Sequence, residues 1–288
     1  ITPEIRASLR GAALLGTGGF RQIPNDEIRL RILEALESGI KRSLNEALPP
    51  GSAVLPAPAV RVLSGADEGR LAWLAVREID GAQNHAILET GGASVQFATG
   101  RQGQVSEAVS LPVGINRAFE RLQREADLSA CYPFGAPDGA TDFDRCRELI
   151  RRTVFSEAAA ASLARGSKSP ADSAGRAGDA PDRPGPLYGL GSAWKAIFMG
   201  MDRSRISLAE LLHFGRAVCA DRKLTEQERT SKYLKRRCYL YAFQSALLER
   251  TGYSGIHRGT ESWPRGAAIS KDFFPACKDP RTPSQESQ

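Results

Sequence analysis

The apolar positions of the chain switch between two periods. Ile28, Ile32, Leu33, Leu36, Ile40 and Leu44 recur at helical spacing behind Asn25, a good N-cap, and Pro49-Pro50-Gly51 ends the stripe. The run at 59–63, AVRVL, predicts a strand, and Leu71, Leu74, Ala75 and Ile79 predict a helix just past Glu68. Short apolar runs at 86–89, 95–98 and 107–111 predict three more strands, the first two forming a hairpin through Gly91 and Gly92. Helices follow at 116–128 and from Thr141 through Cys146, Leu149 and Ile150, then a strand at 187–190 and a helix at 192–199. Ser207 with Glu210 makes a capping box opening a helix to Cys219, and Thr225 with Glu228 opens a longer one to Glu249. Residues 1–15 read as a helix end or a strand. Residues 165–186 collapse to Gly, Pro, Ala, Asp, Ser, Arg and Lys, which cannot bury a core, so a disordered insertion within a lobe is expected there. The tail past Lys278 is also expected to be disordered.

Composition narrows the class. A chain of 288 residues with 41% hydrophobic and 25% charged positions can bury a core and exceeds the usual single-domain size, so two lobes are expected. A net charge of +6 favours anionic partners in general, from nucleic acid to a polyphosphate. No run of five Lys or Arg occurs, so an evenly solvated basic surface is the competing reading, and Lys232, Lys235, Arg236 and Arg237 read as such a face. No stretch nears the roughly 20 apolar residues of a membrane-spanning helix. The chain opens at Ile1, which suggests a processed or trimmed end and makes a missing secretion signal uninformative.

Five cysteines occur, with no C-x-x-C, and the three histidines His85, His213 and His257 are scattered, which argues against structural zinc. Cys131 and Cys146 flank a Pro/Gly/Asp-rich loop, and Cys219 and Cys238 lie near facing ends of two predicted helices. Two disulfides with Cys277 left over are expected, against the alternative of five buried thiols in a cytosolic protein. If the bridges exist, the compartment is extracellular or periplasmic. The Walker, zinc-protease and nucleophile-elbow motifs are absent.

The chemistry concentrates in residues 62–97. Phosphoryl hydrolysis needs a positioned water, a group to take its proton, donors for the spreading charge and usually a divalent cation. Glu68 offers the base, Ser94 and Gln96 the grip on water, and the turn Gly91-Gly92-Ala93 the backbone donors. Glu89 can order a cation through its waters. Upstream, Thr17-Gly18-Gly19 with Arg21 offers a second, weaker anion turn. Glu68 also reads as a plain helix start, and the glycine turn as a structural hairpin. Trp263 reads as core or nucleotide contact, and His85 as structural.

These residues carry a resemblance. The segment SGADEGRLAWL resembles the third conserved region of the apyrase, or nucleoside triphosphate diphosphohydrolase, family, ILETGGASVQF its fourth and LLGTGGFR its second. Looser matches lie at the cysteine pairs and at ESWPRGAAI. The resemblance implies an α/β, actin-like fold of two ribonuclease-H-like lobes, residues 1–80 with 256–288 and residues 81–255, with the site in the cleft between them. It implies removal of terminal phosphate from nucleoside tri- or diphosphates with Ca²⁺ or Mg²⁺. Glu68 matches the family base, Ser94 and Gln96 its water-positioning pair, and Glu89 stands where the family has an Asp that orders the metal. An Asp-x-Gly-Ser loop precedes the second region in that family and has no match in residues 1–15. The N-terminal lobe is therefore expected to be incomplete, through fragmentation or as a natural variant. The alternatives are a catalytically impaired phosphate-binding protein and an exopolyphosphatase-like relative. Neither a nucleic-acid partner nor an oligomer is expected.

Overall fold

The computed structural model describes residues 13–47, 59–125, 128–131, 141–155, 185–220 and 236–270. The insertion expected at 165–186, apart from its last two residues, lies outside them, as do Cys277 and the helix start expected at Thr225. In chain order the elements are β1 (Ala13–Gly16), α1 (Gly18–Arg21), α2 (Asp26–Ala47), β2 (Ala59–Val62), α3 (Gly65–Asp80), β3 (His85–Thr90), β4 (Val95–Arg101) and β5 (Gln104–Leu111). They continue as α4 (Ile115–Glu125), α5 (Phe143–Thr153), β6 (Leu187–Leu190), α6 (Ser192–Met201), β7 (Arg205–Ser207), α7 (Leu208–Ala220), α8 (Arg237–Arg250), β8 (Gly255–Arg258) and α9 (Trp263–Ile269).

The strands form two sheets. β1 pairs in parallel with β2, while the larger sheet has six strands in the order β5-β4-β3-β6-β8-β7. β3, β4 and β5 meander antiparallel, β6 joins β3 in parallel, and β8 joins β6 in parallel. The chain therefore leaves β3, β6 and β8 at the same edge, the carboxyl edge at which open α/β sheets place ligands.

Strand alternation sorts the residues of β3 between two cores. Ala86 and Leu88 face the larger core, built by the sheet with α4 to α8. Ile87, with Ala98 beside it on β4, faces a smaller core closed by Trp73 and Val76 of α3. By the same alternation Glu89 faces α3, together with its cross-strand partner Gln96 and, one strand further, Ser110.

The seating of α3 on that face depends on small residues. A Cβ on Gly69 would lie 3.4 Å from Gln96 and 3.7 Å from Ala98 and Ala108, so the helix sits in contact with the pleat. Near its other end the fully buried Trp73 donates from Nε1 to the His85 carbonyl at 3.0 Å and stacks on the His85 ring at 4.3 Å. Gly100 leaves room for that indole, since a Cβ there would come within 2.5 Å of it. Burial pushes the His85 imidazole down to about 4, so it is a neutral core group. α9 crosses the outer side of α3 at Gly266, where an added Cβ would meet the Leu71 carbonyl.

On the opposite face α8 is buried on all sides, as a helix inside a layer of helices must be. Two disulfides bind that layer, Cys131–Cys146 at α5 and Cys219–Cys238 between α7 and α8. The Ser207 and Glu210 capping box is present, with reciprocal bonds of 2.8 and 3.1 Å.

Some expectations shift. α3 begins at Gly65, because Ser64 caps it by accepting from the Asp67 N–H at 3.0 Å. Glu68 therefore lies in the first turn of the helix rather than ahead of it. β7 and β8 are short strands with little periodicity to announce them, and β8 lies in the large sheet across the lobe boundary expected at 255.

Two glycine substitutions separate these effects. Gly100→Ala drives a methyl into Trp73 and the Gln104 carbonyl, and overpacking of this kind costs about 1–3 kcal/mol. Gly39→Ala, on α2 with no atom within 4 Å of the new methyl, is expected to stabilise the helix by about 1 kcal/mol. Thermal unfolding followed by circular dichroism is expected to show a lowered Tm for the first and an unchanged or raised Tm for the second.

Candidate functional site

Three segments meet beyond the carboxyl edge of β3: the turn after β1, the start of α3 and the glycine turn between β3 and β4. Glu68 is buried in the first turn of α3, and its N–H donates to the Ser64 carbonyl at 3.0 Å. Its Oε2 accepts from Arg21 Nη2 at 2.8 Å and, more distantly, from Gln96 Nε2 at 3.4 Å. Burial pushes the Glu68 carboxyl above its ordinary range, while the hydrogen bond and the charge of Arg21 pull it back. The two influences oppose each other, and burial is the larger.

Arg21 is itself fixed. Its Nη1 donates to the Leu63 carbonyl at 2.7 Å, and Nη2 also reaches Ser94 Oγ at 3.3 Å. The short α1 brings it there, and Gly18 allows the approach, because a Cβ at 18 would lie 2.9 Å from Ser94 Oγ. Gln96 Nε2 donates to Ser94 Oγ at 2.7 Å and lies 3.2 Å from Ser110 Oγ as well as 3.4 Å from Glu68. A primary amide has two protons, so three oxygens compete for them and one is free to meet a water or phosphate oxygen.

The glycine turn is held from behind. Gly91 N–H donates to the Ser94 carbonyl at 3.0 Å, closing the turn. The Gly91 carbonyl accepts from Ile115 N–H at 2.9 Å, and the Gly92 carbonyl from Asn116 and Arg117 N–H at 2.9 and 3.2 Å. The first amides of α4 are thus spent on the turn. Gly114 fits against its back, where a Cβ would come within 2.4 Å of the Ala93 and Ser94 backbone.

Glu89 ends β3 on the same side of the sheet. Its Oε1 accepts from Ser262 Oγ, while its Oε2 is buried with no hydrogen-bond partner. Burial pushes this carboxyl up to about 8, with the Ser262 bond lowering it and the charge of Glu68 raising it. An unpartnered buried carboxylate oxygen fits a hard divalent cation, taken directly or through a water. Among the described residues no group of three metal-binding side chains occurs, so the remaining ligands would be water and phosphate oxygens.

In front of these groups lies a cavity of about 290 Å³ lined by Gly18, Arg21, Gln22, Gly65, Ala93, Ser94, Ser110, Pro112 and Arg117. Of the residues expected from sequence, Gly18, Arg21, Ala93 and Ser94 reach its wall. Glu68 and Gln96 bond to those wall residues from behind. Thr17, Gly19, Gly91 and Gly92 shape the two turns without lining the cavity. Gln22, Ser110, Arg117 and Ser262 were not anticipated. Ser110 was accessible through hairpin register opposite Gln96, whereas the other three come from the tertiary fold.

Comparison with known proteins corrects the family. The model of the Ppx/GppA phosphatase family matches residues 53–159, a segment that contains Glu68 and the glycine turn but not the Thr17-Gly18-Gly19 turn. The structure resembles that of the Aquifex aeolicus member of the Ppx/GppA protein family at 15% identity and a TM-score of 0.57, covering 92% of this chain and 74% of that one. It also resembles an exopolyphosphatase from Cytophaga hutchinsonii at 16% identity and a TM-score of 0.55, covering 88% and 72%. The α/β, two-lobed actin-like fold expected from the sequence is the fold found. The kinship with apyrases is not, and the nucleoside triphosphate diphosphohydrolase assignment falls with it. A helix-borne carboxylate beside a glycine turn serves any phosphoanhydride, so those two segments fix the chemistry more closely than the family.

The buried Glu89 makes a stability prediction. Its proton is held in the folded chain up to about pH 8 but lost near 4.5 on unfolding. Its contribution is therefore fully present below pH 4.5 and is lost as pH rises to 8, by up to about 1.4 kcal/mol per pH unit. In metal-free buffer, Glu89→Gln is expected to melt increasingly above the parent as pH rises from 5 to 8. A constant difference across that range would remove the uncompensated carboxylate.

Proposed function

We propose that this chain is a phosphohydrolase that releases the terminal phosphoryl group of a phosphoanhydride chain, with inorganic polyphosphate as its substrate class. The observation that carries this reading is the cavity beside Glu68. Its lining supplies two arginines, two serines and a glutamine, and among the described residues no aromatic side chain lines it for a nucleobase to stack on. The family match across residues 53–159 supports a phosphatase, and the likeness to a solved exopolyphosphatase agrees with the substrate class.

In this reading Ser94 and Gln96 hold a water against the terminal phosphorus, and Glu68 takes its proton as the oxygen attacks. The P–O bond of the anhydride breaks, its electron pair leaves with the shortened chain, and orthophosphate forms. The Gly91 amide is spent on the Ser94 carbonyl, so the amides of Gly92 and Ala93, with the Thr17-Gly18-Gly19 turn, meet the spreading charge, and Arg21 is its cation. A divalent cation such as Mg²⁺ supplies charge neutralisation on the phosphate oxygens when bound, and Glu89 would hold it. Calcium entered only with the apyrase resemblance and is not kept.

Phosphate release from polyphosphate in Mg²⁺ is the test. Glu68→Gln is expected to lower kcat about 10²- to 10⁴-fold. Hydrolysis of ATP as fast as polyphosphate would remove the substrate class, and binding without turnover would favour a phosphate-binding protein.

The two disulfides support a compartment outside the cytosol, extracellular or periplasmic. Mass spectrometry of the non-reduced protein is expected to recover both pairs. Free thiols at these four cysteines would withdraw the compartment.

A further inference from the structure

The cavity is larger than one phosphoryl group requires. At about 30 Å³ per water, its roughly 290 Å³ would hold about ten water molecules. The two guanidinium groups on its wall are not equivalent. Arg21 is committed: one nitrogen donates to a backbone carbonyl at 2.7 Å and the other to Glu68 at 2.8 Å, so its charge is already balanced by a buried carboxylate. Arg117 is anchored only through its main chain, whose N–H donates to the Gly92 carbonyl at 3.2 Å. Its side chain is exposed and has no ion-pair partner among the described residues. Uncompensated positive charge on this wall therefore lies at Arg117, in the first turn of α4, whose amides clasp the glycine turn.

We infer that Arg117 holds the second phosphoryl group of the substrate, the one joined to the terminal phosphorus through the bond that breaks. A planar guanidinium can take two oxygens of a phosphate at once, which a single Lys cannot. Arg21 and Ser94 then serve the terminal group and Arg117 the leaving group, with Ser110 and Pro112 lining the cavity beside it. The site thereby selects phosphates linked by an anhydride over phosphate monoesters, whose leaving side offers Arg117 no anion. Arg117 is a specificity residue, and its exposure to solvent makes its contribution moderate and salt-dependent. This inference rests on the phosphohydrolase reading given above.

Steady-state kinetics on tripolyphosphate in Mg²⁺ tests it, with orthophosphate as a competitive product inhibitor. Arg117→Gln is expected to raise KM about tenfold, to leave kcat within about twofold and to leave orthophosphate inhibition within about twofold. Arg117→Lys is expected to recover part of the KM, and added salt to narrow the gap between native protein and Arg117→Gln. Equal losses for tripolyphosphate and orthophosphate would overturn the second-phosphate assignment, as would an unchanged KM in a native protein that turns tripolyphosphate over. A native protein that releases no phosphate from any polyphosphate would overturn the underlying reading as well. If Arg117→Gln melts at a lower temperature, Arg117→Lys decides: folding restored with KM still at the Arg117→Gln value overturns the inference.

Discussion

The close approach of α3 to the large sheet is the constraint on which the site depends. Gly69 lies against Ala98 and Ala108, Gly100 makes room for Trp73, and Gly266 lets α9 press on the helix from outside. A methyl at Gly69 would make ordinary contact, whereas one at Gly100 or Gly266 would collide with Trp73 or with the Leu71 carbonyl. Glu68 stands one residue before Gly69, so its distance to Gln96 is set by that contact. The same seating brings Gly65 against Ser110 and leaves no room for a side chain there. The geometry of the site is here a consequence of helix-on-sheet packing, with side-chain hydrogen bonds refining it.

Packing two carboxylates beneath one cavity has an electrostatic cost, and the fold meets it unevenly. Glu68 has an arginine at 2.8 Å that draws its carboxyl back toward the ordinary range, although burial still leaves it raised. Glu89 has a serine hydroxyl and a neighbouring negative charge, and burial dominates its behaviour. The two carboxyls are therefore not equivalent: one has a cation at hydrogen-bond distance and the other only a hydroxyl.

Much of this was legible in the chain. Period-2 runs identified β3, β4 and β5, the Ser207 capping box marked the start of α7, and β6 lies at 187–190 as read. Glu68, Ser94 and Gln96 were singled out from two short segments, and the structure places them within hydrogen-bond reach of one another. Arg117 was not accessible, since it stands in no motif, and Ser262, though within ESWPRGAAI, reaches Glu89 only through tertiary packing. Family was read less well than chemistry for a related reason. Turns of ten residues encode what a phosphate needs from a protein, and several lineages answer that need alike. The apolar residues of α3 indicated a helix but not its first turn, which Ser64 decides by capping.

The clasp between α4 and the glycine turn extends beyond shape. In a trans peptide the N–H points opposite to the C=O of the same unit, so carbonyls turned toward α4 send the Gly92 and Ala93 amides the other way. The positive end of α4 thus acts through two peptide units in series, each polarised by the helix amides bonded to it. The turn behaves as an extension of the helix dipole across a chain connection, delivering a partial charge where the helix backbone itself has no room to go.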